Sequence, residues 1–202
     1  MKGFGVIAIA VATMLAAPAS AQMVSDAEGF IAAVDDRDGN GATRILETRP
    51  TVVNSRNRNG QTALIVAISR RDDLWTGFLL GKGADPNLAA GNGDTPLIAA
   101  ARVGYLNGTE WLLKQRAKVD AANKMGETAL IIAVQQRHLP IVELLLKIGA
   151  DPDKPDSAAG YSARDYAKRD TRAREILAAI EAAKSPKSTK PDEFTLDDFK
   201  LN

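Results

Sequence analysis

Very few residues of this chain could do chemistry. His138 is its single histidine and it has no cysteine, which excludes a thiolate nucleophile, a cysteine-ligated metal and a multi-histidine metal centre. A serine hydrolase with a Gly-x-Ser-x-Gly turn is excluded as well, because that turn does not occur in the sequence. Carboxylates such as Asp94 and Glu127 are the remaining acid–base groups. We predict no catalytic residue, no cofactor-binding residue and no metal site.

Two glycine-rich turns and one acidic loop could suggest ligand binding. The turns at residues 39–41 and 91–93 lack the Lys-Ser/Thr pair of a phosphate-binding loop. The acidic loop at 35–41 lacks the spacing and the final glutamate of a calcium loop. Lysine and arginine number 26 and aspartate and glutamate 25, so the formal net charge is +1. Without an excess of positive charge, nucleic-acid binding is not expected.

The first 21 residues have the pattern of a cleavable signal peptide. Lys2 precedes an uncharged apolar run at 5–17, and residues 18–21 (Pro-Ala-Ser-Ala) end in the small-x-small pattern that signal peptidases recognise. We predict cleavage after Ala21 and a bacterial protein that is periplasmic or secreted. The run is shorter than the roughly 20 apolar residues that span a bilayer. No later stretch is longer, so no membrane association is expected after cleavage.

A 33-residue period organises the rest of the chain. The repeating positions are a glycine, a threonine, a leucine and an alanine, found at Gly60, Gly93 and Gly126; Thr62, Thr95 and Thr128; Leu64, Leu97 and Leu130; Ala67, Ala100 and Ala133. A fixed period of this length is typical of stacked repeat arrays. The glycine suits a turn with positive φ, and the threonine can cap a helix by accepting a backbone N–H bond. Each repeat is therefore expected to begin with a turn and a capped helix.

Other residues mark where helices begin and end. Gly83 and Gly149 are expected to end second helices in the left-handed conformation, and Arg116 stands where the middle repeat should have that glycine. Because arginine takes this conformation less easily than glycine, the replacement is predicted to lower the local stability of the fold by up to roughly 1 kcal/mol. Ser25 and Glu28 form a capping-box pattern that predicts the start of the first helix at Ser25.

Two stretches carry a family resemblance. Gly-Asp-Thr-Pro-Leu-Ile-Ala-Ala at residues 93–100 and Gly-Ala-Asp-Pro-Asn at 83–87 closely resemble the ankyrin repeat motif. The resemblance implies an all-α ankyrin-repeat solenoid of helix-turn-helix units with turn or β-hairpin fingers. We place this domain at 22–183, with repeats near 25–57, 58–90, 91–123 and 124–156 and a capping repeat at 157–183. Residues 184–202 are expected to be a disordered tail.

The resemblance also implies a function. Ankyrin-like stacks usually bind protein partners in a concave groove between the fingers and the first helices, so we predict a monomeric, non-enzymatic interaction module that binds a protein partner. The predicted partner-binding residues are Arg56, Arg58, Gln61, Arg70, Asn92, Asp94, Arg102, Met125, Glu127, Gln135, Asp156 and Tyr161.

The sequence leaves three alternatives open. One is a secreted effector that acts on host or competitor proteins. Another is an enzyme that uses groove carboxylates such as Asp94 or Glu127. The third concerns the tail, where an acidic context surrounds four apolar residues that could form a docking peptide: Phe194, Leu196, Phe199 and Leu201.

Overall fold

The computed structural model describes residues 19–183 as a succession of helix pairs. Within this range, ten α-helices and one short 3-10 helix follow one another: α1 Ala19–Asp35, α2 Gly39–Thr48, the 3-10 helix Pro50–Asn54, α3 Ala63–Ser69, α4 Asp73–Gly81, α5 Pro96–Val103, α6 Leu106–Lys114, α7 Ala129–Gln135, α8 Leu139–Lys147, α9 Ala163–Arg169 and α10 Arg174–Ala182. The predicted tail at 184–202 and all but the last three residues of the predicted signal peptide lie outside the described residues. Among residues 19–183, no helix is long and apolar enough to cross a bilayer.

The predicted caps of the first helices are confirmed. The Thr62 hydroxyl accepts the N–H of Ile65 at 3.2 Å at the start of α3. Thr95, Thr128 and Ser162 cap α5, α7 and α9 in the same way. Such a cap satisfies one of the backbone N–H groups that the first turn of a helix leaves without a partner.

The first helix begins earlier than the capping-box pattern predicts. Helix α1 starts at Ala19, so residue 25 lies inside the helix and not at its start. The reason is that a helix, once nucleated, extends readily through residues such as alanine and glutamine, which lie in this stretch. Glu28 has a different role from the one predicted, because its Oε1 accepts the N–H of Arg58 at 2.7 Å.

The core runs along the whole stack. The first helices pack in series, α1 against α3, α3 against α5, α5 against α7 and α7 against α9, while the second helices cover them. Each of Ala67, Ala100 and Ala133 is buried on a first helix, where the small side chain allows a close approach of the covering helix. Each repeat therefore buries its apolar face against its neighbours.

Left-handed residues end the helices. Gly83 and Gly149 have φ of 86° and 94°, and Arg116 takes the same conformation with φ of 62°, as the sequence predicts. Not predicted were three further left-handed arginines, in the turns between the two helices of a repeat: Arg37, Arg71 and Arg137.

The fingers stack on one another through backbone contacts. Each finger is short, and the described residues pair only through isolated bridges such as Arg56 with Thr62. The N–H of Gly91 in the second finger donates to the Gly60 carbonyl in the first at 2.7 Å. A Cβ added to Gly60 would lie 2.7 Å from the Gly91 Cα. Glycine is thus required here for its positive φ of 73° and for the close approach of the next finger.

Candidate interaction groove

Two adjacent clefts lie between the fingers and the first helices, on the surface that we call the groove. The first has a volume of about 400 Å³ and the second about 360 Å³. Asn59 and Gln61 of the first finger and Ser69 at the end of α3 line both clefts. The predicted binding residues that line one or both are Gln61, Arg70, Asn92, Asp94 and Arg102.

Asp94 ties two fingers and a helix together. Its carboxylate accepts hydrogen bonds from Arg102 Nη2 at 3.0 and 3.2 Å, from Asn92 Nδ2 at 3.0 Å and from Asn123 Nδ2 at 2.8 Å. Only 7% of Asp94 is exposed. Both of its oxygens are engaged, so this carboxylate organises the wall of the groove.

Asn123 belongs to this network, although it was not among the predicted binding residues. Its Nδ2 donates to Glu127 Oε2 at 2.9 Å, and its Oδ1 accepts the N–H groups of Met125 and Glu127. The 33-residue period contained a signal for it, because Asn57 and Asp156 occupy the equivalent place in other fingers. In each case the side-chain oxygen accepts finger N–H groups, as Asx side chains commonly do in turns.

The last finger carries a second polar cluster. Asp156 is buried and accepts the hydroxyl of Tyr166 at 2.6 Å together with the N–H groups of residues 158–160. Burial by itself would raise the pKa of Asp156, but these hydrogen bonds outweigh it and lower the pKa. The same hydrogen bond, with burial, raises the pKa of Tyr166 to about 12. Tyr161 packs edge-on against Tyr166 with ring centroids 5.6 Å apart, and the Arg169 guanidinium lies 4.6 Å above the Tyr161 ring.

Residues 73–156 match the family model of ankyrin repeats, in three copies. This part of the chain consists of ankyrin repeats. The match runs from the start of α4 into the fourth finger, and the fold is the all-α helix-turn-helix solenoid that the sequence predicts. Ankyrin repeats are generally protein–protein interaction modules and are typically non-enzymatic. No curated protein matched the chain.

Several of the predicted groove arginines are anchored by contacts between repeats. Arg70 Nη1 lies 2.6 Å from Asp35 Oδ1 in the preceding repeat. Arg56 Nε donates to the Ala89 carbonyl of the next finger at 2.8 Å. Arg58 is the most open, with 80% of its side chain exposed and Nε 3.9 Å from the Glu28 carboxylate. These bonds orient the guanidinium groups and leave part of each facing solvent.

Met125 and Leu74 are the large hydrophobic side chains that are exposed among residues 19–183. Met125, on the third finger, is 53% exposed, and Leu74, in the first turn of the outer helix α4, is 78% exposed. Met125 was predicted as a binding residue and Leu74 was not. One lies on a finger and the other on a second helix, which makes them a matched pair for mutation.

His138 packs in the turn of its repeat. A Cβ on Gly104 would lie 2.6 Å from its Cε1, so the imidazole covers this glycine. Within residues 19–183, no group of three or more histidine, aspartate or glutamate side chains could hold a metal ion. The packing gives His138 a structural role.

Proposed function

We propose that this ankyrin repeat protein is an exported module that binds one protein partner through the groove. The observation that carries the proposal is the pair of adjacent clefts whose walls contain five of the predicted binding residues. Carboxamide and guanidinium groups line them together with apolar atoms of Ile65, Ala99 and Val103, a combination suited to a polypeptide surface.

Rigid support strengthens the proposal. Asp94 and Asn123 link neighbouring fingers by side-chain hydrogen bonds, and Arg70 links neighbouring repeats. A surface held in this way loses little conformational freedom on binding, which favours affinity. Export is supported by the basic and apolar pattern of residues 2–21.

Met125→Glu and Leu74→Glu test the groove. Each places a carboxylate on an exposed apolar position, one on the third finger and one on the outer helix α4. Affinity capture from periplasmic extract with the mature protein should recover a partner that the Met125 variant loses and the Leu74 variant keeps. Circular dichroism checks that both variants fold.

Two results would contradict this proposal. Loss of the partner with Leu74→Glu alone would place the binding surface on the outer helices. Equal capture by both variants and the parent would exclude the third finger, and the capture is then repeated with Gln61→Glu, at a residue that lines both clefts. Equal capture with this variant as well would exclude the groove. Export is tested separately, by cell fractionation and by mass determination of the N-terminus, which should be Gln22 after cleavage. A protein that keeps residues 1–21 and stays in the cytoplasm would refute export.

A further inference from the structure

Four asparagines of this chain are followed directly by glycine: Asn40, Asn59, Asn92 and Asn107. In this dipeptide the glycine has no side chain to hinder attack by its backbone nitrogen on the asparagine carboxamide, so the asparagine deamidates readily. The four dipeptides are identical in sequence. Their backbone conformations and side-chain hydrogen bonds differ, and these differences decide which of them can react in the folded protein.

Two of the four lie in helices. Asn40 is in the first turn of α2, where the Gly41 N–H donates to Asp38 Oδ1 at 2.9 Å. Asn107 is in the first turn of α6, and its Nδ2 donates to an Asp73 oxygen at 3.4 Å. Ring closure at either place requires the helical turn to unwind, because a helix holds the side chain away from the following nitrogen.

The other two lie in finger turns and differ in their side chains. Asn92 Nδ2 donates to Asp94 Oδ2 at 3.0 Å, and its Oδ1 accepts the Asp94 N–H at 2.9 Å, so rotation of the carboxamide would break both bonds. Asn59 is exposed, and its carboxamide forms no hydrogen bond with residues 19–183. The attacking nitrogen, that of Gly60, is restrained by one bond, to the Asn57 carbonyl.

We propose that Asn59 is a site of spontaneous covalent modification in the folded protein. The Gly60 nitrogen attacks Cγ of Asn59 and loses its proton to water, and the side-chain nitrogen takes up one proton from water and leaves as ammonia. The product is a cyclic imide. Water then adds to one of its two carbonyls and opens the ring, which gives aspartate or isoaspartate. The net reaction exchanges ammonia for water and needs no oxidant, reductant or cofactor.

The modification changes the groove at the point that both clefts share. A carboxylate at position 59 adds negative charge beside Glu28 and Asp35 in one cleft and Asp94 in the other. Isoaspartate also lengthens the finger backbone next to Gly60, where the second finger packs closely. Any effect on a partner rests on the proposed function, whereas the modification itself does not.

The test compares the four sites in folded and unfolded protein. The full chain is incubated at neutral pH with and without denaturant, and peptide mapping by mass spectrometry follows aspartate and isoaspartate at each site. In denaturant the four sites should convert at similar rates. In the folded protein Asn59 should convert while the other three slow about tenfold or more, the factor expected when hydrogen bonds or a helical turn must first be broken. Comparable rates at Asn59 and any of the other three in the folded protein would overturn the proposal.

Asn59→Gln supplies the control, because glutamine closes a ring far more slowly. The acidic species that accumulates on isoelectric focusing of the folded parent should be absent from this variant. Its persistence at the same rate would assign the modification to another residue and overturn the proposal. The exposed position and the absence of a side-chain bond at Asn59 predict that the variant keeps the parent's circular dichroism spectrum.

Discussion

Gly126 and Gly160 occupy equivalent places in two fingers and differ in what lies beside them. Both have positive φ, 79° and 70°. A Cβ on Gly126 would lie 2.4 Å from both the backbone nitrogen and the Oγ of Ser157 in the next finger. A Cβ on Gly160 would have no atom of the described residues within 4 Å beyond its own chain neighbours. Alanine at the two positions therefore separates the conformational requirement from the contact between fingers.

The magnitudes follow from these two terms. The left-handed conformation costs an alanine about 1 kcal/mol at either position. At Gly126 the overlap adds about 1–3 kcal/mol, because the Ser157 N–H is held by the Met125 carbonyl at 2.8 Å and cannot retreat without breaking that bond. We expect Gly160→Ala to lower the free energy of unfolding by about 1 kcal/mol and Gly126→Ala by about 2–4 kcal/mol.

Urea unfolding measures this difference. Circular dichroism and the fluorescence of Trp75 and Trp111 are recorded together, since coincident curves establish a single transition in a repeat array. In a domain of this size, a loss of 1 kcal/mol lowers the melting temperature by about 2–4 °C. The additional loss of about 1–3 kcal/mol at Gly126 should therefore lower the melting temperature of that variant by about 2–12 °C relative to the Gly160 variant. Equal losses in the two variants would show that contact between fingers adds nothing, and the reasoning would be refuted.

Three further predictions concern single residues. Glu28→Ala should destabilise the protein by about 1 kcal/mol and Glu28→Gln by less, because glutamine can still accept the first finger's N–H; equal shifts of the urea midpoint would contradict this role. Arg116→Gly should stabilise the protein by up to about 1 kcal/mol, because glycine takes the left-handed conformation without strain. Arg137→Gly should stabilise it less, because this change also removes the ion pair with Asp170. The urea midpoints of the two variants test this order. The N–H of Arg172 and the Arg137 guanidinium lower the pKa of Asp170 from 3.8 to about 2, so its stabilising contribution is complete above pH 3.8 and is lost as the pH falls through about 2. The unfolding midpoint of Asp170→Asn should therefore fall less over this interval than that of the parent, and parallel profiles would refute the assignment.

Local signals in the sequence were sufficient for the repeat architecture. Thr62 and its equivalents, followed by apolar helices, specify where first helices begin, because a cap acts within three residues. Gly83 and Gly149 mark helix ends for the same reason of short range. Even the weak point at Arg116 was predictable, since any residue at that place of the repeat must take the left-handed conformation.

Contacts between repeats were decided only by the tertiary structure. The sequence shows Asp94 as a finger residue, but its burial depends on Arg102 eight residues later and on Asn123 in the next finger. The sequence pattern assigns Glu28 to a helix cap, but its carboxylate accepts the backbone N–H of Arg58, 30 residues away in the first finger. Partners this distant in sequence are brought together by stacking, which no local propensity encodes.

The same division holds for the groove and for Asn59. The 33-residue period and the resemblance to ankyrin repeats placed the predicted binding residues on fingers and first helices. Distances of a few ångströms between repeats decide which of them line a cleft, which are held by ion pairs and which asparagine keeps a free carboxamide. The sequence thus determined the kind of unit and its order along the chain, because those follow from short-range backbone preferences. The tertiary structure decided which side chains remain available, because that follows from how the units pack.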